Sequence, residues 1–404
     1  MTLRPAALAA ALPLFAAFVA APLAVLAGKL SGREDVLLHF GPRGLAPWLV
    51  LSGGALAYSL VMAARTRKAA QQRLWPVSAL GLGLGAAAGL LAALLPPLLE
   101  QAVGLAPLLD ELRLPALVLF AALWAWSFGT PERGLLARSG AVLGALCVLD
   151  FLLTAIMARS LVLGGGFLFG EASGTADILA FLLCIGLAAT LDDTVDPRQP
   201  RLARWLILAG VLSTFSRPGL CAAGIMCLVL ERGPLKNRLA AALACGLAVW
   251  VSLSLPLPLF DESGDLGLAW HLTATTEALD QEPWGYLTGM PLDQPLALAV
   301  PEFQGLLWEE DFQGLPVYAF DIPSSGLRLL AAWGAAGPLA VLGGAGLCAL
   351  KGRGRFGLGL LVALFFCAAL SPVLHVPATA AAFALALASA TRKAPDPAAP
   401  EQAA

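Results

Sequence analysis

Apolar segments close to twenty residues long recur along this chain, and they restrict its fold more than any motif does. They fall near 6–28, 45–64, 74–96, 114–130, 141–158, 176–191, 205–216, 218–230, 239–260, 327–350, 356–372 and 376–391. A bilayer core about 30 Å thick takes about 20 residues of helix, and backbone in lipid must satisfy its hydrogen bonds within the segment. Only 13% of residues are charged and 59% are hydrophobic, whereas soluble domains carry about a quarter charged residues. The expected class is therefore all-α, a polytopic membrane protein of about twelve transmembrane helices. The first segment ends on small residues, as a signal peptide does, but it exceeds the usual apolar length of about 7–15. It reads as the first membrane helix.

Charge sets the expected topology. With the N-terminus in the cytoplasm, the inward connections hold Arg65, Arg67, Lys68 and Arg73, then Arg133 and Arg138, then Arg198, Arg201 and Arg204. Arg232, Lys236 and Arg238 follow, then Lys351, Arg353 and Arg355, with Arg4, Arg392 and Lys393 at the ends. Eighteen of the twenty-five basic residues then face inward, the bias that orients membrane helices. This divides the chain into helices one to nine over 1–260, one large periplasmic loop over 261–325, helices ten to twelve over 326–391 and a disordered cytoplasmic tail over 392–404.

One charge violates the apolar pattern. Arg217 stands alone in "WLILAGVLSTFSRPGLCAAGIMCLVL", residues 205–230, and a central arginine costs about 2.5–3.5 kcal/mol on insertion scales. A single helix over this stretch would put its two basic flanks on opposite sides. Two short helices meeting at Ser216-Arg217 keep both flanks inside and place the turn at the floor of a cavity open to the periplasm. Pro218 suits the first turn of the second helix. A helix N-terminus beside a guanidinium is a setting for an anion, phosphate above all. The plainer alternative is an outer turn whose arginine meets lipid headgroups.

The 65 residues from Asp261 to Ser325 hold twelve acids and no Lys or Arg, interleaved with aromatics such as Trp270, Trp284, Tyr286 and Trp308. Disordered segments are poor in aromatics, so helical pieces packed over the cavity mouth are expected. "GLAWHLTATTEALDQ" reads as a helix and "EPWGYLTGMP" as a Gly/Pro-punctuated turn after it. The topology puts all three histidines, His39, His271 and His375, outside. His271, in the loop, is the candidate for proton transfer, against the commoner structural role of a lone histidine. Asp150 and Asp177 lie in or near helix ends; either is able to orient a substrate, and helix capping suits Asp177.

Seven cysteines, all in apolar segments, give neither a disulfide framework nor a metal spacing. No phosphate-cradling loop, HExxH, GxSxG or zinc pattern occurs. "VLGGGF" at 162–167 lacks a dinucleotide-site setting, and "GLGLG" at 81–85 reads as helix packing. No cofactor and no nucleic-acid partner are expected.

Four stretches together resemble the O-antigen ligase and O-antigen polymerase superfamily of bacterial inner-membrane proteins. They are "ASGTADILAFLL" (172–183), "LSTFSRPGLCAAGIMCLVL" (212–230), "EPWGYLTG" (282–289) and "GLRLLAAWGAAGPLAVL" (326–342). The resemblance covers about 165–350 and places Arg217 at the family's functional arginine. It departs at Glu171, where the family carries an arginine, and at Pro323-Ser324, where it carries His-Asn. Arg159, Arg328 and His271 are then the residues available for the missing roles. The resemblance implies metal-independent transfer of a glycan from a polyprenyl-pyrophosphate carrier to a hydroxyl on a lipid, glycan or protein acceptor. In this reading Arg217, Arg159 and Arg328 bind pyrophosphate and His271 takes the acceptor proton. A transporter or flippase, or a non-catalytic partner in envelope polysaccharide assembly, are the rival classes.

Overall fold

The computed structural model describes, apart from isolated positions, residues 5–20, 105–158, 175–191, 199–254, 262–292, 322–352 and 354–391. Expected segments 45–64 and 74–96, together with His39, Arg159, Glu171, both glycine-rich motifs and the tail from 392, lie outside the described residues. Among the described residues every regular element is a helix.

The helices are α1 (Pro5–Phe15), α2 (Leu105–Phe128), α3 (Arg133–Ala158), α4 (Thr175–Thr190), α5 (Gln199–Thr214), α6 (Arg217–Ile225) and α7 (Leu235–Ser254). After them come α8 (Glu262–Gln281), the single turn α9 (Gly285–Thr288), α10 (Ser325–Trp333), α11 (Ala336–Gly352), α12 (Arg355–Leu370) and α13 (Pro377–Ala390). Both α1 and α6 run on into π-helical turns, Ala16–Ala20 and Met226–Leu230. Among the described residues Arg133–Leu153 is the one helix long and apolar enough to cross a membrane; shorter apolar stretches of 10–17 residues include α4, α6 together with its π-helical turn, α12 and α13.

The core is built around α4, whose residues Ile178 to Ala189 are all buried. It packs against α3, α5, α6, α12 and α13. Small residues set these distances. A Cβ on Gly186 of α4 would lie 2.8 Å from the Cα of Gly140 in α3, and one on Gly210 of α5 would lie 2.5 Å from the Cα of Gly144. Close backbone approach of this kind lets helices associate through van der Waals packing. The alanine-rich α13 is buried along its whole length.

One expected boundary holds and another shifts. The segment 205–230 is two helices meeting at Ser216-Arg217, as its charge flanks require. The segment 327–350, expected as one helix, breaks at Gly334 (φ 60) into α10 and α11. The break has a physical reason. The backbone of residues 286–290 occupies it: Met290 N–H donates to Ala331 O at 2.7 Å and Ala335 N–H to Tyr286 O at 2.7 Å. A Cβ on Gly334 would meet the Leu287 carbonyl carbon at 2.3 Å, and one on Gly289, itself at φ 84, would meet the Ala332 backbone at 2.6 Å. Only glycine combines a left-handed φ with such an approach at low cost. "EPWGYLTG" is therefore the turn and one-turn helix that seat the loop.

Helix ends sort into two groups. At one end Arg133 donates to Ser389 O and Ala390 O, Arg204 to Thr190 O and to Glu231, and Arg238 to Leu228 O. These cations meet carbonyls at helix C-termini, where the helix dipole favours them. The starts of α4, α6, α10 and α13 lie at the opposite end, and there the remaining buried polar groups collect.

Candidate functional site

The site begins with the chain reversal between α5 and α6. Phe215 takes the left-handed conformation (φ 50), rare for a bulky residue, and Ser216 then turns extended. The Ser216 Oγ accepts from Gly219 N–H at 3.2 Å, capping α6, with Pro218 in the first turn. Capping uses one of the free N–H groups of the helix start. Arg217, half-buried, sends one guanidinium nitrogen to Ser252 O at 3.3 Å, in the last turn of α7. Arg217 thus joins a helix start to a neighbouring helix end.

Asp177, in the first turn of α4, does not cap its own helix. Its two oxygens accept hydrogen bonds from two other elements: Ser216 Oγ at 2.6 Å and Ser371 Oγ at 2.5 Å. The Arg217 guanidinium lies within electrostatic reach of this carboxylate. The capping role expected of Asp177 gives way to a tie between α4, α6 and the end of α12. Asp150 is buried on α3.

A second cluster lies on the other side of residues 371–376. Arg328, in α10, is 7% exposed and Glu111, in α2, is 0% exposed. Arg328 Nε donates to Glu111 Oε1 at 2.6 Å, and Nη2 lies 2.5 Å from the same oxygen. His375 Nε2 stands 3.8 Å from Glu111 Oε2, and its Nδ1 is 3.4 Å from Ser325 Oγ. Ser325 Oγ accepts from Leu374 N–H at 3.0 Å, while Ser325 N–H donates to Ser371 O at 3.0 Å. Six residues, Ser371 to His375 and Val376, therefore connect the aspartate cluster to the glutamate cluster.

The expected site residues separate accordingly. Arg217 stands at the α6 start, and Arg328 is at the same end of the bundle but is committed to Glu111. His271 is half-buried on α8, which packs against α9 and α10. Arg159 and Glu171 lie outside the described residues. At the Pro323-Ser324 departure, Ser324 caps α10 by accepting from Leu327 N–H at 3.2 Å and donates to Ala369 O at 2.6 Å. Asp280, exposed at the end of α8, holds the Tyr286 hydroxyl in a hydrogen bond that, with some burial, keeps this phenol above its ordinary range. Glu111, Ser371 and the placement of His375 were not anticipated. Glu111 precedes the expected segment 114–130, and the helix starts at Leu105, drawing the carboxylate into the bundle. Among the described residues no three His, Cys, Asp or Glu side chains are grouped to hold a metal ion.

No protein-family model matches the chain, and no curated protein matches it.

Proposed function

We propose that the chain transfers a glycan from a polyprenyl-pyrophosphate carrier to an acceptor hydroxyl on the periplasmic face of a bacterial inner membrane, in the manner of O-antigen ligases and polymerases. One observation carries this reading: the half-buried Arg217 guanidinium at the capped start of α6, beside Asp177. As the anomeric carbon–oxygen bond breaks, negative charge grows on the departing pyrophosphate. A cation fixed in a water-poor site stabilises that charge more than water does. Arg217 offers a planar fork of donors to phosphate oxygens. Arg159 and Arg328 are the further cations of the reading; Arg328 serves only if pyrophosphate takes the place of Glu111. Two groups offer to take the acceptor proton, His271 on α8 and Asp177 beside Arg217.

A lipid setting is supported by what the helices turn outward. Leu239, Leu243, Leu247, Trp250 and Leu253 form a stripe along α7 with exposures from 43% to 70%. A soluble helix would carry polar residues on such a face. The gathering of Arg133, Arg204 and Arg238 at one end, opposite the Asp177 cluster, supports an inward and an outward end.

The test is transfer of a polyprenyl-linked glycan by purified protein in detergent, with a chelator present. Transfer that survives the chelator and fails in Arg217→Ala supports the proposal. No transfer by the wild type with any lipid, glycan or protein acceptor, or full activity in Arg217→Lys, removes it.

A further inference from the structure

We infer that Asp177 is the group that takes the proton from the acceptor hydroxyl, an assignment that rests on the transfer reading above. Three features of Asp177 lead to it. First, the carboxylate is oriented. Ser216 and Ser371 each donate to a different oxygen, at 2.6 and 2.5 Å. Each carboxylate oxygen has about two lone-pair sites, so one on each oxygen remains for an incoming O–H. Second, the residue is reachable: Asp177 is half-buried, whereas Glu111 and His375 are 0% and 5% exposed.

Third, it stands beside Arg217, where the transfer reading puts the leaving group. Ser216, which binds Asp177, is the residue next to Arg217 and the cap of the same helix. A base on α4 tied through Ser216 to the anion site at the start of α6 presents acceptor and donor to each other, which lowers the entropic part of the barrier. His271 has no such placement, because its helix packs on α9 and α10, the side of Arg328.

The step balances without a co-reactant. The acceptor oxygen bonds to the anomeric carbon as the bond from that carbon to the pyrophosphate oxygen breaks. The bonding pair leaves on the pyrophosphate beside Arg217. The acceptor proton passes to Asp177 and from there to water.

The experiment uses an acceptor that has no proton to lose. Full-length Asp177→Ala protein is assayed with a hydroxyl acceptor and, separately, with azide anion, the glycosyl azide being read by mass. Removing a general base costs about a hundredfold or more, so hydroxyl transfer should fall by that factor while azide transfer continues near the wild-type rate. Arg217→Ala should lose both. Asp177→Ala that keeps hydroxyl transfer overturns the inference, and so does loss of both activities, which would make Asp177 a purely structural tie. His271→Ala that fails with hydroxyl but works with azide would assign the step to His271 instead. Asp177→Asn, which keeps a polar group of the same shape for Ser216 and Ser371, guards against a folding failure and should show the same split. A wild type that transfers to neither acceptor counts against the transfer reading itself.

Discussion

Ser216 and Asp177 lie thirty-nine positions apart, and the serine hydroxyl donates to the carboxylate across 2.6 Å. The same hydroxyl oxygen accepts from Gly219 N–H. One side chain thus starts α6 and fastens that start to α4.

Ser216→Ala should remove both links. Loss of an N-cap costs about 1–2 kcal/mol, and the protein should unfold at lower temperature in detergent. Ser216→Thr, which keeps the hydroxyl, should recover most of the loss. An alanine variant as stable as the wild type would show that Asp177 finds its partners elsewhere.

Arg217→Lys should express normally yet lose most transfer, and Arg217→Ala nearly all. A charge-assisted hydrogen bond is worth about 1.5–3 kcal/mol, or about ten- to a hundredfold in rate. Lysine keeps the charge but not the fork. An outer turn that merely meets headgroups predicts instead that lysine substitutes freely.

Glu111→Ala leaves the Arg328 guanidinium buried without its carboxylate. Breaking a buried pair in this way costs about 3–5 kcal/mol, measured as a fall in unfolding midpoint. The double variant Glu111→Met, Arg328→Met removes both charges and should be distinctly more stable than Glu111→Ala alone. Equal losses in the two variants would mean that other partners hold Arg328.

Gly334→Ala places a Cβ where the Leu287 carbonyl carbon stands 2.3 Å away, at a φ of 60 that alanine resists. The loop turn should come off its seat. Limited proteolysis near Trp284 should speed up severalfold while α12 and α13 stay protected. Unchanged cleavage would mean that the loop is held by contacts other than this break.

The two ends of the bundle should label differently. In a cysteine-free background, an impermeant thiol reagent supplied from the periplasm should modify Trp284→Cys and spare Asn237→Cys; both positions are exposed. The opposite pattern would invert the proposed orientation.

Much of this arrangement was legible in the residues. The basic flanks of 205–230 forced a reversal at Ser216-Arg217, and Pro218 marked the new helix start, because both effects are local. The turn "EPWGYLTG" was legible for the same reason. The break at Gly334 was not, since a single glycine inside an apolar run lowers helical propensity without by itself ending a helix. It is the arrival of Tyr286 and Met290 backbone that makes the interruption favourable. Glu111 escaped notice because the acidic pair Asp110-Glu111 before an apolar run reads as loop, and Arg328, two hundred and seventeen positions away, gives Glu111 a reason to be buried. The bond from Ser371 to Asp177 spans one hundred and ninety-four positions and has no local signature at all.

The seat at Gly334 is read by main chain rather than by side chains. Trp284, Tyr286 and Leu287 turn outward, 70%, 46% and 60% exposed, while their backbone fills the gap. Over evolutionary time those three positions are free to drift in chemistry without unseating the loop. Gly285, Gly289 and Gly334 are not, because a Cβ at any of them would meet backbone at 2.6 Å or less. Kin of this protein should therefore be recognisable by three spaced glycines around a turn of otherwise changeable spelling.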